Sequence, residues 1–229
     1  APAIARGNTV VLKPASLTPL SAGLIADIFS ECDAPPGVVN IVYGSGREVG
    51  QALLTHSAIK GVSFTGSNEV GTKLYNTSAA NGIKCQCEMG GKNPIVILDD
   101  ADLDLATNSA VQGAYGSTGQ RCTATSRAIV VDSVADQFIA QLEARVKALV
   151  VGNGLDPVTD VGPSVDQTQL DTVLNYIGVG QDEGARLITG GLRLTDDAHR
   201  CGYFVQPTIF DRVTPNMRIA QEEIFGPVL

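Results

Sequence analysis

Short apolar runs alternate with helix-like segments through the first ninety residues, and this alternation restricts the possible folds more than any other feature. The segment after the first run places Leu20, Leu24 and Ile28 at helical spacing, and another helix is predicted over 68–80. Strands and helices alternating at these lengths form parallel β-α-β units. The sequence therefore predicts an α/β fold with an open parallel sheet and helices on both faces. The predicted strands of this half are residues 8–13, 38–43, 59–64 and 83–89.

The stretch "MGGKNP" (89–94) interrupts the alternation with glycine and proline. We predict a domain boundary there, with residues 1–89 and 90–229 as separate α/β lobes. In the second lobe, a helix is predicted over 101–116 with Asp99 or Asp100 as its N-cap, followed later by a strand over 203–210.

Acidic residues outnumber basic ones by 24 to 16, which gives a formal net charge of -8. This balance disfavours nucleic acid and anionic membranes as partners, and no apolar run approaches the ~20 residues that span a bilayer. The five cysteines are odd in number and irregularly spaced, which favours a reducing compartment, the cytoplasm, over a disulfide framework. His56 and His199 are expected at the solvated surface, and we expect no metal site.

Two glycine-containing junctions follow predicted strands, "IVYGSGREVG" (41–50) and "SFTGSNEVG" (63–71). Glycines there serve either tight turns or the binding of dinucleotide phosphates by backbone N–H groups at a helix start. Neither junction matches the G-x-G-x-x-G pattern, so the residues alone leave both readings open. Lys13, which ends the first predicted strand, is in the same way either a solvated charge or a ligand for nucleotide oxygens.

Cys122 lies in the loop "GSTGQRCTATSR" (116–127), where small polar residues leave a thiol uncovered. A free cysteine more often packs as a small hydrophobe, whereas a reactive thiol needs access of this kind. Cys85 and Cys87 are expected to be packing residues on a strand, one on each face. Glu88 ends that strand, where a carboxylate is commonly a rim charge.

Eight segments together resemble, in order and spacing, the aldehyde dehydrogenase family, over essentially all 229 residues. The resemblance implies part of a Rossmann-like dinucleotide-binding domain in residues 1–89 and a catalytic thiol domain in residues 90–229. The combination of "CEMGGKNP" with "GQRCTATSR" most resembles the branch acting on 2,5-dioxopentanoate (α-ketoglutarate semialdehyde). The eight segments are "VLKPAS-TPLSA", "PPGVVNIV-GSG", "SFTGSNEVG", "CEMGGKNP", "DDADLDLA", "GQRCTATSR", "GYFVQPTIF" and "EEIFGPV".

The family pattern implies that Cys122 is the nucleophile and Glu88 the general base. A thiolate adds to the aldehyde carbon, and the tetrahedral adduct then passes a hydride to a nicotinamide. The remaining thioester is hydrolysed by a water molecule that Glu88 deprotonates. Branches that transfer the acyl group to coenzyme A usually lack this glutamate, so its presence favours hydrolysis.

The resemblance also implies which residues bind the cofactor. Lys13 corresponds to a lysine at the adenosine ribose, and Gly66 and Ser67 to a pyrophosphate-binding pair at a helix start. Glu223 and Phe225 correspond to residues at the nicotinamide ribose and ring. The whole implied set is Lys13, Ser16, Gly66, Ser67, Gly90, Glu223 and Phe225.

Two positions depart from the common family pattern. Ser16 stands where NAD-using members commonly place a glutamate, and serine removes the repulsion against the 2'-phosphate of NADP. We therefore expect NADP, or the use of both NADP and NAD. Arg121 precedes the cysteine, as in branches acting on aldehydes with an acidic tail, and arginine forms two-pronged pairs with carboxylates. The expected partner is thus a small acidic semialdehyde.

The sequence is shorter than the family pattern at both ends. It lacks an upstream strand whose asparagine amide helps bind the developing oxyanion, and part of the downstream catalytic lobe. It also starts without methionine. We expect a central fragment, incomplete at its C-terminus, of a protein that forms a homodimer or homotetramer.

Two other classes of function stay open. A non-catalytic scaffold or nucleotide-binding protein would keep the fold without the chemistry, although the presence of both Cys122 and Glu88 disfavours it. A redox-sensing thiol protein would need a resolving cysteine near Cys122, and the sequence offers only the distant Cys85 and Cys87.

Overall fold

The computed structural model describes residues 2–229 and divides the chain into two compact units, Ala1–Met89 and Gly90–Leu229. The roles expected for the two halves, dinucleotide binding and thiol chemistry, stay predictions. No helix among residues 2–229 combines the length and the apolar composition needed to cross a membrane.

The strands of the first unit form parallel pairs, as β-α-β units require. In chain order the elements are α1 (Pro2–Ala5), β1 (Val10–Leu12), α2 (Leu20–Glu31), β2 (Val39–Ile41), a π-helical turn (Gly46–Gly50), α3 (Gln51–Thr55), β3 (Gly61–Thr65), α4 (Asn68–Ala80) and β4 (Lys84–Glu88). β1 lies parallel to β2, and β3 lies parallel to β4 from Gly61 opposite Lys84 to Thr65 opposite Glu88. The predicted α/β class is confirmed.

The apolar stripe of α2 does not form a core within the first unit. Leu20 and Leu24 are 84% and 62% exposed, and Ile28 is also exposed, although their spacing correctly predicted a helix. The buried side chains of this unit include the small residues Ala22 and Ser78 and one larger apolar residue, Leu54. Most of the hydrophobic core therefore lies in the second unit.

The second unit contains both parallel and antiparallel strand pairs. Its elements are β5 (Asn93–Ile97), α5 (Leu103–Tyr115), a 3-10 turn (Gly116–Gly119), β6 (Thr125–Val130), α6 (Asp132–Ala148), α7 (Gln167–Asp182), β7 (Arg186–Thr189), β8 (Ile209–Asp211) and α8 (Arg218–Gln221). β5 and β6 pair in parallel, whereas β7 and β8 pair antiparallel. Within residues 2–229 each strand pairs with one neighbour, so the sheet is present as separate pairs.

Two hydrophobic clusters form the core of the second unit. One packs α5 and α6 against β5, with Tyr115 and Phe138 almost wholly buried. The Tyr115 hydroxyl donates to the Thr208 carbonyl oxygen at 3.0 Å, and burial raises the pKa of this phenol. The other cluster surrounds α7 and includes Leu170 and Val173. Both clusters include residues next to the predicted site: Tyr115 precedes the Gly116–Gly119 turn, and Ile224 lies between Glu223 and Phe225.

Two predicted boundaries in this unit are wrong, each for a local reason. The N-cap of α5 is Asp102, whose Oδ1 accepts from the N–H groups of Asp104 and Leu105, and not Asp99 or Asp100. A cap must directly precede the first helical residue, and α5 begins at Leu103. The strand predicted over 203–210 is shortened to β8, because Pro207 lacks the N–H that a ladder requires.

Cys85 and Cys87 face the same side of β4, contrary to the prediction of one on each face. Both are half-buried, whereas Gln86 and Glu88 between and after them are exposed. Side chains alternate along a strand with a period of two, so residues two apart share a face. The two sulfur atoms lie 3.5 Å apart.

His199 is largely buried rather than solvated, with a side chain that is 15% exposed. Its Nε2 lies 3.0 Å from the Val151 carbonyl oxygen, its Nδ1 lies 2.8 Å from the Asp196 carboxylate, and its ring packs edge-on against Phe204. These acceptors suit an imidazolium that donates from both nitrogens. The Val151 carbonyl and then Asp196 raise the pKa of His199 above its ordinary value.

We expect stability to fall with rising pH through this cluster. Since the pKa of His199 is raised on folding, its contribution is fully present below about pH 6.5 and is lost as the pH rises through the folded-state pKa. Urea unfolding of the wild type and of Asp196→Asn between pH 5 and 9 measures the effect. The difference in unfolding free energy between the wild type and Asp196→Asn should shrink with rising pH. The control Asp197→Asn, at the adjacent position, should show no such trend. A constant difference would contradict the assignment.

Candidate active site

Cys122 lies in the exposed loop between the Gly116–Gly119 turn and β6, as the sequence predicted. Asn93, the first residue of β5, holds the backbone of this loop through two hydrogen bonds. The Asn93 amide donates to the Cys122 carbonyl oxygen at 2.6 Å and to the Ala124 carbonyl oxygen at 3.1 Å. The thiol is therefore accessible while its backbone is fixed.

The turn before the cysteine has an unusual backbone. Ser117 and Thr118 have φ values of 55° and 59°, in the left-handed region that non-glycine residues rarely occupy. Thr118 is buried and its hydroxyl donates to the Gly162 carbonyl oxygen at 3.1 Å. Consecutive strained residues of this kind persist where surrounding contacts enforce them, and they concentrate at functional sites.

Gln120 connects the cysteine loop to the segment before α7. Its amide nitrogen donates to the Pro163 carbonyl oxygen at 3.2 Å, and its amide oxygen accepts from the Val165 N–H at 2.9 Å. Both functions of the side chain are thus satisfied by backbone. The glutamine of "GQRC" fixes the loop and leaves the two following residues exposed.

Arg121 is exposed and borders a small cavity in the second unit. Among residues 2–229 the structure shows no ion pair for its guanidinium. Glu223 and Phe225 border the same cavity, so three residues predicted for substrate and cofactor meet there. The remaining lining residues are Gly91, Asn93, Gly119, Ala124, Thr125, Ser126, Ile224, Gly226 and Val228.

The Glu223 carboxylate lies against the glycines that open the second unit. Its Oε1 accepts from the Gly91 N–H at 3.4 Å. A methyl group on Gly90 would overlap the same carboxylate, so the Glu223 side chain would have to move if position 90 carried a larger residue. Gly90 thus adjoins Glu223, consistent with their joint assignment to one site.

Phe225 has a left-handed backbone, with φ of 57°, and its side chain is partly exposed. The Gln169 amide nitrogen, from α7, donates to the carbonyl oxygens of Ile224 and Phe225 at 3.0 and 2.9 Å. These two hydrogen bonds hold the strained turn. The aromatic ring is therefore presented on a fixed backbone.

Glu222, directly before Glu223, is held by a separate set of contacts. The Tyr176 hydroxyl donates to its Oε2 at 2.7 Å, and the Arg218 guanidinium donates at 2.9 Å while lying over the Tyr176 ring. The Arg218 hydrogen bond, followed by that of Tyr176, lowers the pKa of Glu222. The Glu222 carboxylate is therefore occupied by contacts within the second unit, whereas Glu223 borders the cavity.

Lys92 adds a positive charge near these carboxylates. Burial, together with Arg127, lowers the pKa of Lys92 to about 8, against the opposing effect of Glu223 and Glu222. The Arg127 guanidinium donates through Nε and an Nη to the Lys92 carbonyl oxygen at 3.2 and 2.8 Å. The Lys92 ammonium therefore loses its proton more readily than that of a solvated lysine.

In the first unit, Lys13 and Ser16 both approach the junction after β2. Lys13 Nζ donates to the Pro14 carbonyl oxygen and to the Gly44 carbonyl oxygen at 3.3 Å, and the Ser16 hydroxyl lies 3.4 Å from the same Gly44 oxygen. Gly44 has φ of 145°. A groove of about 1010 Å³ runs between this junction and α2, and Ser16 lines it.

Gly66 and Ser67 stand at the start of α4. Ser67 is its N-cap and accepts from the Val70 N–H at 3.4 Å, and the Gly66 N–H donates to the Glu88 carbonyl oxygen at 3.1 Å. Glu88 ends β4 with an exposed side chain, to which the Gln86 amide donates at 3.2 Å. The implied phosphate-binding pair therefore adjoins the strand end that bears the implied base.

The predicted site residues fall into two sets, one in each unit. Lys13, Ser16, Gly66, Ser67 and Glu88 belong to the first, and Gly90, Arg121, Cys122, Glu223 and Phe225 to the second. Sequence reasoning missed the residues that support the second set. Asn93 and Gln120 lie inside the quoted motifs and could have been found there, as could Arg218, which pairs with Glu222 four residues later. Gln169 and Tyr176 act over long separations in sequence and carry no local signal. Among residues 2–229, no three His, Cys, Asp or Glu side chains group to hold a metal.

The chain that forms these strand pairs and helices, with Cys122 in a loop held by Asn93, was compared with models of known protein families. The model of the aldehyde dehydrogenase family matches residues 1–229, and the chain belongs to this family.

Similar proteins include dehydrogenases named for different aldehydes. The α-ketoglutaric semialdehyde dehydrogenase of Bacillus subtilis is 48% identical over 229 residues, which are 100% of this chain and 47% of that protein. The retinaldehyde dehydrogenase 3 of Mus musculus is 47% identical, over 100% of this chain and 44% of its own length. A crystal structure of the Staphylococcus aureus betaine aldehyde dehydrogenase with NAD+ aligns with a TM-score of 0.97 at 39% identity, covering 100% of this chain and 45% of that one. The chain thus spans about half the length of these relatives.

Proposed function

We propose that the protein oxidises an aldehyde to a carboxylate with a nicotinamide dinucleotide, using Cys122 as the nucleophile. The observation that carries the proposal is the Cys122 loop itself, exposed at the thiol and held at the backbone by Asn93. Membership of the aldehyde dehydrogenase family supports this chemistry.

The proposed reaction has two stages on the sulfur. The Cys122 thiolate adds to the aldehyde carbon and gives a thiohemiacetal, whose hydride then leaves. A nicotinamide dinucleotide supplies the hydride acceptor when bound. The thioester that remains is hydrolysed, and we assign Glu88 as the base that takes a proton from the attacking water. Its exposed carboxylate at the end of β4 suits that role.

The residues present fit a dinucleotide. In the first unit, Lys13 and Ser16 lie beside the groove after β2, and Ser67 caps the start of α4, where free N–H groups favour an anion. In the second unit, Glu223 and Phe225 are the expected nicotinamide contacts. Because Ser16 offers a hydroxyl rather than a carboxylate, we propose that NADP, or both NADP and NAD, serve as cofactors. The Staphylococcus aureus relative was solved with NAD+.

For the substrate we propose a small acidic semialdehyde. The exposed Arg121, without an ion pair among residues 2–229, borders the cavity beside the cysteine loop and can pair with a carboxylate. The relatives from Bacillus subtilis and Haloferax volcanii are named for α-ketoglutarate semialdehyde. The mouse protein, whose sequence identity to this chain is about the same, is named for retinaldehyde. Arg121, rather than overall identity, therefore carries this part of the proposal.

The test is a steady-state panel on the protein in its natural length, with one acidic and one neutral aldehyde of equal chain length. Loss of a charge-assisted pair costs about 1.5–3 kcal/mol, so Arg121→Leu should raise KM for the acidic aldehyde about ten- to hundredfold. The neutral aldehyde should be unaffected, and Arg193→Leu, an exposed arginine elsewhere, should change neither.

Equal effects of Arg121→Leu on both aldehydes would refute the role of Arg121. The same panel run with NAD+ and NADP+ tests the cofactor proposal. A strong preference for NAD+ would show that Ser16 does not discriminate between the two.

A further inference from the structure

A pair of thiols in the first unit takes no part in the proposed reaction. Cys85 and Cys87 share one face of β4, are both half-buried, and bring their sulfur atoms within 3.5 Å of each other. The other face of the strand carries Gln86 and Glu88. The pair is thus separated from the strand's exposed polar side.

The dithiol lies between the β3–β4 pair and α4. On β3, Val62 is opposite Cys85 and Phe64 is opposite Cys87, and both apolar residues are half-buried on the same face. The Cys87 thiol also donates to the Gly71 carbonyl oxygen in α4, at a distance of 3.7 Å. β4 therefore places the two sulfurs side by side, and α4 contacts the Cys87 sulfur.

A disulfide does not suit this geometry. In an extended strand, residues two apart have Cα atoms about 6.6 Å apart with nearly parallel Cβ bonds. A disulfide requires Cβ atoms about 3.5–4.5 Å apart, so forming one would distort β4. A larger atom bonded to both sulfurs would bridge the existing gap instead.

The ligand number excludes zinc and favours a centre that needs only two sulfurs. Structural zinc sites use four protein ligands, and no third His, Cys, Asp or Glu joins these two within residues 2–229. Soft sulfur ligands select soft, thiophilic partners. A trivalent arsenic atom with one organic substituent completes its three bonds with two thiolates.

We propose that Cys85 and Cys87 form a dithiol site that captures one monosubstituted trivalent arsenic compound. The two S–H groups condense with the arsenic–oxygen group of an organic arsenoxide. Two arsenic–sulfur bonds form, the bonds to oxygen break, and the two thiol protons leave with that oxygen as water. Arsenic remains trivalent, so no electrons are transferred and no oxidant is needed.

The raised pKa of Cys87 fits a condensation rather than an alkylation. Burial, followed by the Cys85 hydrogen bond, raises the pKa of Cys87. The Cys87 thiol is therefore harder to deprotonate than an ordinary cysteine thiol, which slows reagents that require a thiolate. The condensation uses that proton and is not disfavoured in the same way.

Phenylarsine oxide, added at one equivalent to the native protein, tests the proposal by intact mass and by a count of free thiols. We expect one phenylarsenic group per chain with the loss of two thiols, stable to excess glutathione and reversed by 2,3-dimercaptopropanol. Cys85→Ser and Cys87→Ser should each abolish this glutathione-resistant adduct, whereas Cys32→Ser and Cys201→Ser should retain it.

Peptide mapping of the wild-type adduct gives a second readout that needs no variant. Trypsin cleavage after Lys84 and Lys92 releases residues 85–92, which contain both cysteines of the pair and no other. The phenylarsenic group should be found on this peptide. Its presence on the peptide that begins at Cys122, or an adduct that survives in Cys85→Ser and Cys87→Ser, would overturn the proposal. Neither outcome depends on dehydrogenase activity.

Discussion

A Cys122→Ser variant is expected to lose aldehyde oxidation by about 10³-fold or more in kcat. A serine hydroxyl at this position has no neighbouring base within the cysteine loop to activate it, whereas a thiol ionises far more readily. The measurement is cofactor reduction with the acidic aldehyde of the panel. Because Asn93 contacts the backbone carbonyl at 122, the serine variant should keep the loop geometry and the folded stability.

Cys201→Ser is the matched control, since Cys201 is also exposed but lies in a different loop. It should keep full activity. Alkylation of the wild type at neutral pH separates the enzyme from a non-catalytic scaffold. The enzyme should be labelled first at Cys122, whereas a scaffold should be labelled at similar rates on its three exposed thiols, Cys32, Cys122 and Cys201. Activity of Cys122→Ser within tenfold of the wild type would refute the assignment of the nucleophile.

Gly119→Ala should be strongly destabilising, by about 3 to 5 kcal/mol in the free energy of unfolding. Gly119 is buried with φ of 66°, and a methyl group there would overlap the Gly226 carbonyl oxygen and lie 3.0 Å from the Ala114 carbonyl oxygen. Backbone atoms at both contacts leave no flexible side chain to move aside. Urea unfolding and the melting temperature, expected to fall by about 10 °C, measure the effect.

Gly116→Ala, three residues earlier in the same turn, provides the control. Gly116 has φ of -56° and a methyl group there would meet nothing within 4 Å. Its unfolding free energy should stay within about 0.5 kcal/mol of the wild type. If the two alanine variants were equally stable, the close approach of the Gly119 turn to Gly226 would not hold in solution.

The sequence predicts elements well where local signals agree. The helix Asn68–Ala80 follows Ser67, which acts as its cap, and was predicted with the same bounds. The prediction is wrong where one residue overrides a pattern, as Pro207 does within the strand predicted over 203–210. The apolar stripe of α2 correctly indicated a helix, but periodicity does not specify what a helical face packs against.

The exposure of Cys122 could be predicted because composition alone leaves its loop uncovered. The burial of His199 could not, since its acceptors, the Val151 carbonyl and Asp196, include a backbone group 48 positions away. Long-range contacts of this kind, which also join Tyr176 to Glu222, depend on the tertiary fold rather than on neighbouring residues. A distant backbone carbonyl, such as that of Val151, leaves no pattern in a single sequence.

The Asn93 amide has a consequence for how such a protein can diversify. It binds carbonyl oxygens on either side of Thr123, so the loop is anchored through atoms that every amino acid possesses. Exposed side chains at 121 and 123 can then be exchanged during evolution without displacing the sulfur. Single mutations at these positions can then change the substrate preference while the Cys122 sulfur stays in the same position.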